Sequence, residues 1–373
     1  MILKKLLLWI LWRTPTTNCI CYNSYPDYTD NAYAIFIYLQ KCTRGKKYKH
    51  IWLINEKKKI SKIQRIISRE GYNADVIAKK SFRGIWLYLR CRYCFFTHGI
   101  FETLPLHQHP DKLINLWHGM PLKRIGNLDA LWGGMKNFDI LISNGVFWSK
   151  IMASCFGANV KSVLPLGQPR NDLLFSKTDF FHKRNIDIHS YKKIGAWLPT
   201  YHKSAIIKKE RIDCESNGIF AFLNEDDLLN LDNALKRLNE LLIIKLHPMD
   251  YLQNAEFRKY SNILILKQND MDTQLYPLLG ACDYLLTDFS SVCFDFEILN
   301  KPMAFPIDNL ESYKECRGFV FEDIRSVLPG PMIFNYKGLI DFIENPCKTD
   351  SKIRLNDFHD ANASERLVNY LGI

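Results

Sequence analysis

The 373-residue sequence contains no G-x-x-x-x-G-K-[ST] loop, no G-x-G-x-x-G and no G-x-S-x-G. The fingerprints of an NTPase, a dinucleotide-dependent dehydrogenase and an α/β-hydrolase are therefore missing. Long hydrophobic runs are missing too. The most apolar stretch, MILKKLLLWILWR at 1–13, falls short of the about 20 residues that span a bilayer. No small-residue cleavage site follows it, so a signal peptide is not expected. Lys4, Lys5 and Arg13 bracket its apolar residues as in a segment that lies in a membrane interface; a first helix or strand packed in the core fits the same residues. Repeats at solenoid spacing, low-complexity tracts and Gly-Ser linkers do not occur, which excludes repeat arrays and flexible tethers. The eleven cysteines are odd in number and lack the spacing of a secreted disulfide framework, so reduced thiols in a cytosolic compartment are expected. Cys91 and Cys94 form a C-x-x-C, but no second ligand pair follows, and CRYCFFTHG reads as a buried strand rather than a metal site. Acidic residues are in the minority, 39 against 50 Lys+Arg, a net charge of +11. That balance favours an anionic partner: nucleic acid, anionic lipid or a phosphate-rich substrate. RGKKYKH at 44–50 and EKKKISKIQR at 56–65 concentrate the positive charge near the start, either as a binding patch or as a solvated helix face.

What is present is a folded α/β chain. Short runs rich in Ile, Val, Leu and aromatics alternate with longer amphipathic stretches, the pattern of βα units and parallel sheets. Strands are predicted at 50–55, 74–78, 91–98, 112–118, 138–143 and 160–167, with helices around 31–41, 60–70 and 146–156. The polar segment from Ser176 to Lys193 reads as a hinge. A second strand set follows at 193–200, 241–248, 262–267, 283–288 and 302–307, with helices at 226–240, 272–282 and 290–300. The expected architecture is two Rossmann-like, doubly wound domains facing a cleft, 1–178 and 179–373. Chemistry is then sought in the loops after strands, where such sheets bind ligands.

Four strand ends carry unusual polar residues. In INLWHGMPLKRIG at 114–126, His118 ends a strand, Gly119 and Pro121 force a turn, and Lys123 and Arg124 follow. A histidine that titrates near neutrality suits proton transfer and the cations suit a phosphate, while a strand-end histidine held by a structural hydrogen bond explains His118 as well. In LGQPRND at 166–172, Arg170 is presented beside Asn171 and Asp172; it either forks onto a phosphate or pairs with Asp172. In IIKLHPMD at 243–250, Lys245 and His247 fall on one face of an extended strand and could share one anion, or His247 is a buried structural residue. In YLLTDFSSVCFDFEILNKP at 284–302, a strand ends at Thr287-Asp288, and Ser290-Ser291 open a helix whose N–H groups could hold a diphosphate. Asp295, one turn deeper on the same face as Ser291, could take a ribose; Asp288 and the serines also read as an ordinary N-cap. Asp270 and Asp272 form a D-x-D that reads better as a helix cap than as a metal site.

These strings resemble the CDP-glycerol glycerophosphotransferase family of teichoic-acid and capsule synthesis. LWHGMPLKRIG, GQPRND, LPTYH at 198–202, KLHPMD, LLTDFSSVCFDF, KECRGFVFED at 314–323 and PGP at 329–331 look like that family's signature blocks in the same order, over most of the chain. Met120 and Gln168 depart from the Thr and Tyr common there, and the large N-terminal extension of some family polymerases is not expected. The resemblance implies a GT-B type fold, no obligatory metal and no cofactor. It implies His118 and His247 as the catalytic pair. Lys245, Thr287, Asp288, Ser290, Ser291, Asp295 and Arg317 are then assigned to the donor, and Gly119, Lys123, Arg170 and Asn171 to the phosphate or acceptor side. It further implies a CDP-glycerol or CDP-ribitol donor, a lipid-linked or polymeric acceptor, release of CMP, and peripheral placement at the cytoplasmic face of the membrane, with no nucleic acid. Two other readings stay open at this point: a GT-B glycosyltransferase using a nucleotide sugar, and a non-catalytic basic protein that binds membrane or nucleic acid.

Overall fold

The computed structural model describes residues 15–101, 111–129, 137–200, 218–271, 274–348 and 353–373. The apolar-basic segment 1–13 lies outside them, as do Tyr201, His202 and Asp272. The described chain divides into two compact units. One comprises residues up to 120 together with 126–173 and 360–373, the other 121–125 and 174–359.

The first unit is built on a seven-stranded sheet in the order β3-β2-β1-β4-β5-β6-β7. Its strands are β1 (Thr17–Asn23), β2 (Lys49–Ile54), β3 (Asp75–Ala78), β4 (Cys91–Phe96), β5 (Lys112–Asn115), β6 (Ile140–Ile142) and β7 (Val163–Leu164), and every pairing is parallel. The chain steps outward from β1 to β3, returns to β4 on the other side of β1, and continues to β7. The strand order therefore reverses between β1 and β4, and a sheet of this kind binds ligands at that point, beyond the strands' carboxyl ends. The sequence reading began its strands at residue 50 and missed β1, the strand on which the sheet turns; TNCICYN carries too little aliphatic character to stand out. Helices α1 (Asp30–Lys41), α2 (Ile60–Arg69), α3 (Phe82–Arg90) and α4 (Val146–Phe156) connect the strands. The Ser81 side chain caps α3 by accepting from Gly84 N, and Gly157 in the left-handed region ends α4. Cys91 and Cys94 are buried, unbridged residues of β4. No group of three or more His, Cys, Asp or Glu among the described residues is placed to hold a metal.

The expected boundary gave everything after 178 to the second domain. The C-terminal helix Ala363–Leu371 instead belongs to the first unit. Its Leu367 and Val368, with Ile373, are buried in the same cluster as Phe36, Trp52 and Phe95, and each such burial is worth roughly 1.5–3 kcal/mol. Asp172 fixes its start, accepting from Ala363 N and Ser364 N at 2.8 Å each. Asp172 is thus a helix cap made across 191 residues of sequence and not the partner of Arg170.

The second unit carries a six-stranded sheet, β10-β9-β8-β11-β12-β13, of β8 (Lys193–Leu198), β9 (Glu240–Lys245), β10 (Ile263–Leu266), β11 (Tyr284–Thr287), β12 (Met303–Pro306) and β13 (Met332–Ile333), again all parallel. Here the order reverses between β8 and β11. Helix α5 (Glu225–Leu238) opens on a full capping box, Asn224 with Asp227, and ends at Asn239 in the left-handed region. Its Leu228, Leu231 and Leu235 pack with Leu242, Ile244 and Leu286 from the sheet. No helix among the described residues is long and apolar enough to cross a membrane.

Candidate active site

In the first unit the polar residues gather where β4 and β5 end. His98 stands two residues after β4 and His118 three after β5. Their rings stack face to face, centroids 3.9 Å apart and planes within 5°, with Trp117 against His118 at 3.9 Å. His118 Nδ1 lies 3.1 Å from the Thr97 carbonyl oxygen. A carbonyl can only accept, so Nδ1 carries the proton of the neutral ring and Nε2 keeps its lone pair. The side chain is half-buried, and the protein packed around it pushes the pKa down to about 4; nearby Arg170 pushes the same way, while the Thr97 carbonyl and Asp30 oppose it. Burial also drives His98 well below the ordinary range, helped by His118, Arg170 and Lys79. Both rings are neutral at pH 7. An unfolded histidine titrates near 6.5, so between that value and the native ones the unfolded chain binds more protons. Stability is therefore expected to fall as the pH drops below about 6.5, and in His98→Gln that fall should be shallower in acid-dependent urea titrations.

The backbone that presents His118 is under strain. Trp117 sits at φ 53° and Gly119 at φ 135°; the latter is the reason the H-G sequence needs glycine, and the former costs on the order of 1–3 kcal/mol unless its surroundings impose it. They do. Asn115 Oδ1 accepts from Trp117 N at 2.9 Å, Asn31 Nδ2 donates to the carbonyls of Leu116 (3.4 Å) and Trp117 (3.0 Å), and Gln168 Nε2 donates to Leu116 O at 3.3 Å. Arg170 is held by Asp30, Nη1 to Oδ1 3.0 Å, with both side chains largely buried, and its backbone N donates to Asn31 Oδ1 at 2.9 Å. Asn171 is buried, and neither atom of its side-chain amide has a hydrogen-bond partner among the described residues.

Lys123 is part of a different compact unit. Although five residues from His118, it belongs to the second unit, paired in an antiparallel bridge with Phe319 and with Nζ 5.1 Å from the Tyr313 ring centroid. Pro121–Ile125 leaves the first unit because Leu122 O accepts from Val320 N and Arg124 N donates to Gly318 O.

In the second unit, the ends of β8 and β11 are tied together. Asp288 accepts from Thr200 N at 2.9 and 3.1 Å and from Thr200 Oγ1, and Thr287 Oγ1 donates to Leu198 O at 2.8 Å. Beyond β9, Lys245 Nζ donates to Leu246 O and to Gln268 Oε1, both at 2.8 Å. Burial lowers its pKa to about 8. Gln253 completes the link, giving Nε2 to His247 O and taking Gln268 N on Oε1, 2.8 Å each. His247 Nδ1 accepts from Met249 N at 3.2 Å, so Nε2 carries the proton. His247 is therefore a donor at Nε2, the opposite tautomer to His118.

The serine block is less of a helix than the sequence suggests. Helix α7 (Val292–Phe296; α6 is Leu275–Ala281) has five residues and then tightens into a 3-10 turn, Glu297–Leu299. Its dipole is correspondingly small. Ser290 and Ser291 stand half-buried before it, with Ser290 Oγ accepting from Val292 N at 3.5 Å. Asp295 is fully buried, its Oδ2 accepting from the Tyr276 hydroxyl at 2.6 Å. The Tyr276 bond ties one oxygen of this carboxylate to α6. If the Tyr276 bond is the main duty of this carboxylate, Asp295→Asn lowers the melting temperature and leaves the donor KM within about twofold; a tenfold rise in KM at unchanged stability assigns it to the donor's ribose. Arg317 is half-buried in the turn between Tyr313 and Phe319, whose rings close with Phe289 into an aromatic cluster at 4.0–5.6 Å.

Given no role from sequence were His98, Asn31, Gln253, Gln268 and Tyr276, while Thr200 appeared only within the LPTYH string. His98 carried a signal: CRYCFFTH and KLINLWH end alike, an apolar run closed by histidine.

Two parallel α/β sheets, each with its polar residues at the strands' carboxyl ends, make a two-domain fold of GT-B type. The chain belongs to the family described as CDP-Glycerol:Poly(glycerophosphate) glycerophosphotransferase, whose model matches residues 6–372. It is 26% identical over 364 residues to a teichoic acid poly(glycerol phosphate) polymerase of Bacillus spizizenii, covering 91% of this chain and 86% of the relative. It is 30% identical over 278 residues to a teichoic acid glycerol-phosphate primase of Bacillus subtilis, covering 70% and 68%. Among solved structures, the wall teichoic acid polymerase TagF superposes with a TM-score of 0.73 at 22% identity, covering 99% of this chain and 95% of that one. The chain is thus an enzyme of the glycerophosphotransferase class, a transferase of CDP-activated alcohol phosphates.

Proposed function

We propose that the chain transfers glycerol phosphate, with ribitol phosphate the alternative, from its CDP ester to a hydroxyl of a lipid-linked or polymeric acceptor, releasing CMP. The observation that carries the assignment of roles is the pair of opposite tautomers. His118 Nε2 offers a lone pair and accepts the proton of the attacking hydroxyl; His247 Nε2 offers an N–H and donates to the donor's phosphate oxygens. Charge gathering on those oxygens is the principal thing such an enzyme must stabilise, and the Ser290-Ser291 turn, Lys245 and Arg317 belong to the same unit as His247. Thr287 and Asp288 act by shaping the β8 and β11 loops around the donor. Arg170 and Asn171 act on the acceptor side with Gly119. An acceptor carried on lipid places the enzyme at the cytoplasmic membrane surface, where the basic residues 44–65 face anionic headgroups.

The deciding experiment incubates the full chain with CDP-glycerol, CDP-ribitol and UDP- or GDP-sugars in the presence of lipid-linked acceptor and measures nucleotide release. CMP from one CDP-alcohol is expected; release from a UDP- or GDP-sugar alone would replace this reading with a glycosyltransferase. The pH profile is a second check. A base that is neutral above about 4 works unprotonated from neutrality downward and fails only as the pH drops through that value, so the acid limb of kcat/KM is expected below pH 5. A limb at 6.5 or above would assign the proton transfer elsewhere.

A further inference from the structure

We propose that Asn31 is the positioning residue of the reaction, the side chain that fixes the left-handed Trp117 turn and thereby the direction in which His118 presents Nε2. The inference rests on the reading of His118 as the base. Asn31 is fully buried at the start of α1, and it uses three bonds that only a primary amide can make at once. Its Nδ2 donates to Leu116 O and Trp117 O, on the chain immediately before His118. Its Oδ1 accepts from Arg170 N, so the same side chain fastens the segment that carries Gln168 and Arg170. Gln168 Nε2 closes the ring from the far side onto Leu116 O. One amide thus joins the start of α1 to the segments after β5 and β7, the former being the turn whose φ of 53° a tryptophan adopts only when held. Among the described residues, the His118 ring is anchored by one hydrogen bond, Nδ1 to Thr97 O at 3.1 Å. If the turn relaxes, that bond lengthens, the tautomer is no longer specified, and Nε2 is displaced from the reacting hydroxyl.

Substitution separates these functions. Asn31→Asp keeps an acceptor for Arg170 N and removes both donors; Asn31→Leu removes all three bonds at similar volume. Each is compared with His118→Ala and with Val368→Ala, a cavity variant in the same hydrophobic core that serves as the control for lost stability. Two readouts are taken on the full chain. One is CMP release with CDP-glycerol, corrected for the folded fraction. The other is the imidazole nitrogen-15 spectrum, in which the His118 signals are those missing from His118→Ala. Wild type is expected to show His118 protonated at Nδ1. Both Asn31 variants should show mixed tautomers and a kcat lowered about 10- to 100-fold, the size of effect that an ångström of misplacement produces, with the donor KM within twofold. Val368→Ala should keep wild-type kcat and tautomer. The proposal is overturned if Asn31→Leu keeps the wild-type tautomer, if Asn31→Asp behaves as wild type, or if the loss of kcat in both variants is matched by Val368→Ala. A His118→Ala enzyme of normal activity, with the tautomer still shifted in Asn31→Leu, would sink the base assignment while leaving the positioning role in place.

Discussion

His118→Ala is expected to lower kcat by about 10²–10⁴, the usual contribution of a positioned general base, while the donor KM stays within about twofold. The split follows from where the groups lie. His118 belongs to the first unit, and the residues proposed to hold the donor all belong to the second, so removing the imidazole deprives the acceptor hydroxyl of its proton acceptor and leaves the donor's contacts intact. His247→Ala should behave differently. It deletes the N–H proposed to meet phosphate oxygens that gain charge in the transition state, a loss worth about 10²–10³ in kcat for a single such donor, and it should raise the donor KM as well. The stacked His98 adds a discriminating control. It lies 3.9 Å from His118 centroid to centroid and is the next imidazole that could accept the proton. A His118→Ala enzyme within tenfold of wild type, with activity abolished in His98→Ala, would transfer the base role to His98. Purified donor and acceptor with single-turnover detection of CMP separate the chemical step from product release.

The fold was legible in the sequence because buried parallel strands announce themselves. HIWLIN, KLINLWH, LLIIKLHP and DYLLTD are continuous apolar runs, and each lies at a strand of the two sheets, since a strand covered on both faces has no polar side to interrupt it. β1 escaped for the complementary reason: Thr17, Asn18, Cys19, Cys21 and Asn23 dilute its pattern, and its burial is imposed by neighbours on both sides. The C-terminal helix was misallotted because its partner for capping, Asp172, is 191 residues away in sequence. No local signal encodes such a contact.

The site was legible as residue types and illegible as partnerships. Histidine after an apolar run marks a strand end, but whether it serves as base or donor depends on which backbone group meets Nδ1, the Thr97 carbonyl for His118 and the Met249 amide for His247. Proximity in sequence does not reveal partners: Lys123 follows His118 by five positions yet belongs to the other unit, and Asp295, on the helical face of Ser291, accepts from Tyr276. The residues that shape the turn before His118, Asn31, Asn115 and Gln168, are uncharged amides; two of them lie in strings the sequence singles out, but only their hydrogen bonds show what they hold.

Arg170→Met is the second large effect, and it falls on stability. The Arg170–Asp30 pair is nearly closed to solvent, the side chains 6% and 14% exposed, and removing one member of a buried pair leaves a charge that was desolvated for its partner. The cost is on the order of 3–5 kcal/mol, measurable as a fall in urea midpoint at unchanged m-value. Asp30→Ala should cost at least as much, because Asp30 also occupies the left-handed region at φ 64°, which aspartate tolerates better than alanine. Asp30→Asn keeps that tolerance and should be milder. The double variant Arg170→Met/Asp30→Asn should recover part of the loss, since neither charge is then stranded. The same pair acts on the base with opposite signs. Arg170 lowers the His118 pKa and Asp30 raises it, so the acid limb of kcat/KM should move to higher pH in Arg170→Met and to lower pH in Asp30→Asn. Limbs that move together, or that stay fixed while stability falls, would show that the pair holds the scaffold without tuning the histidine.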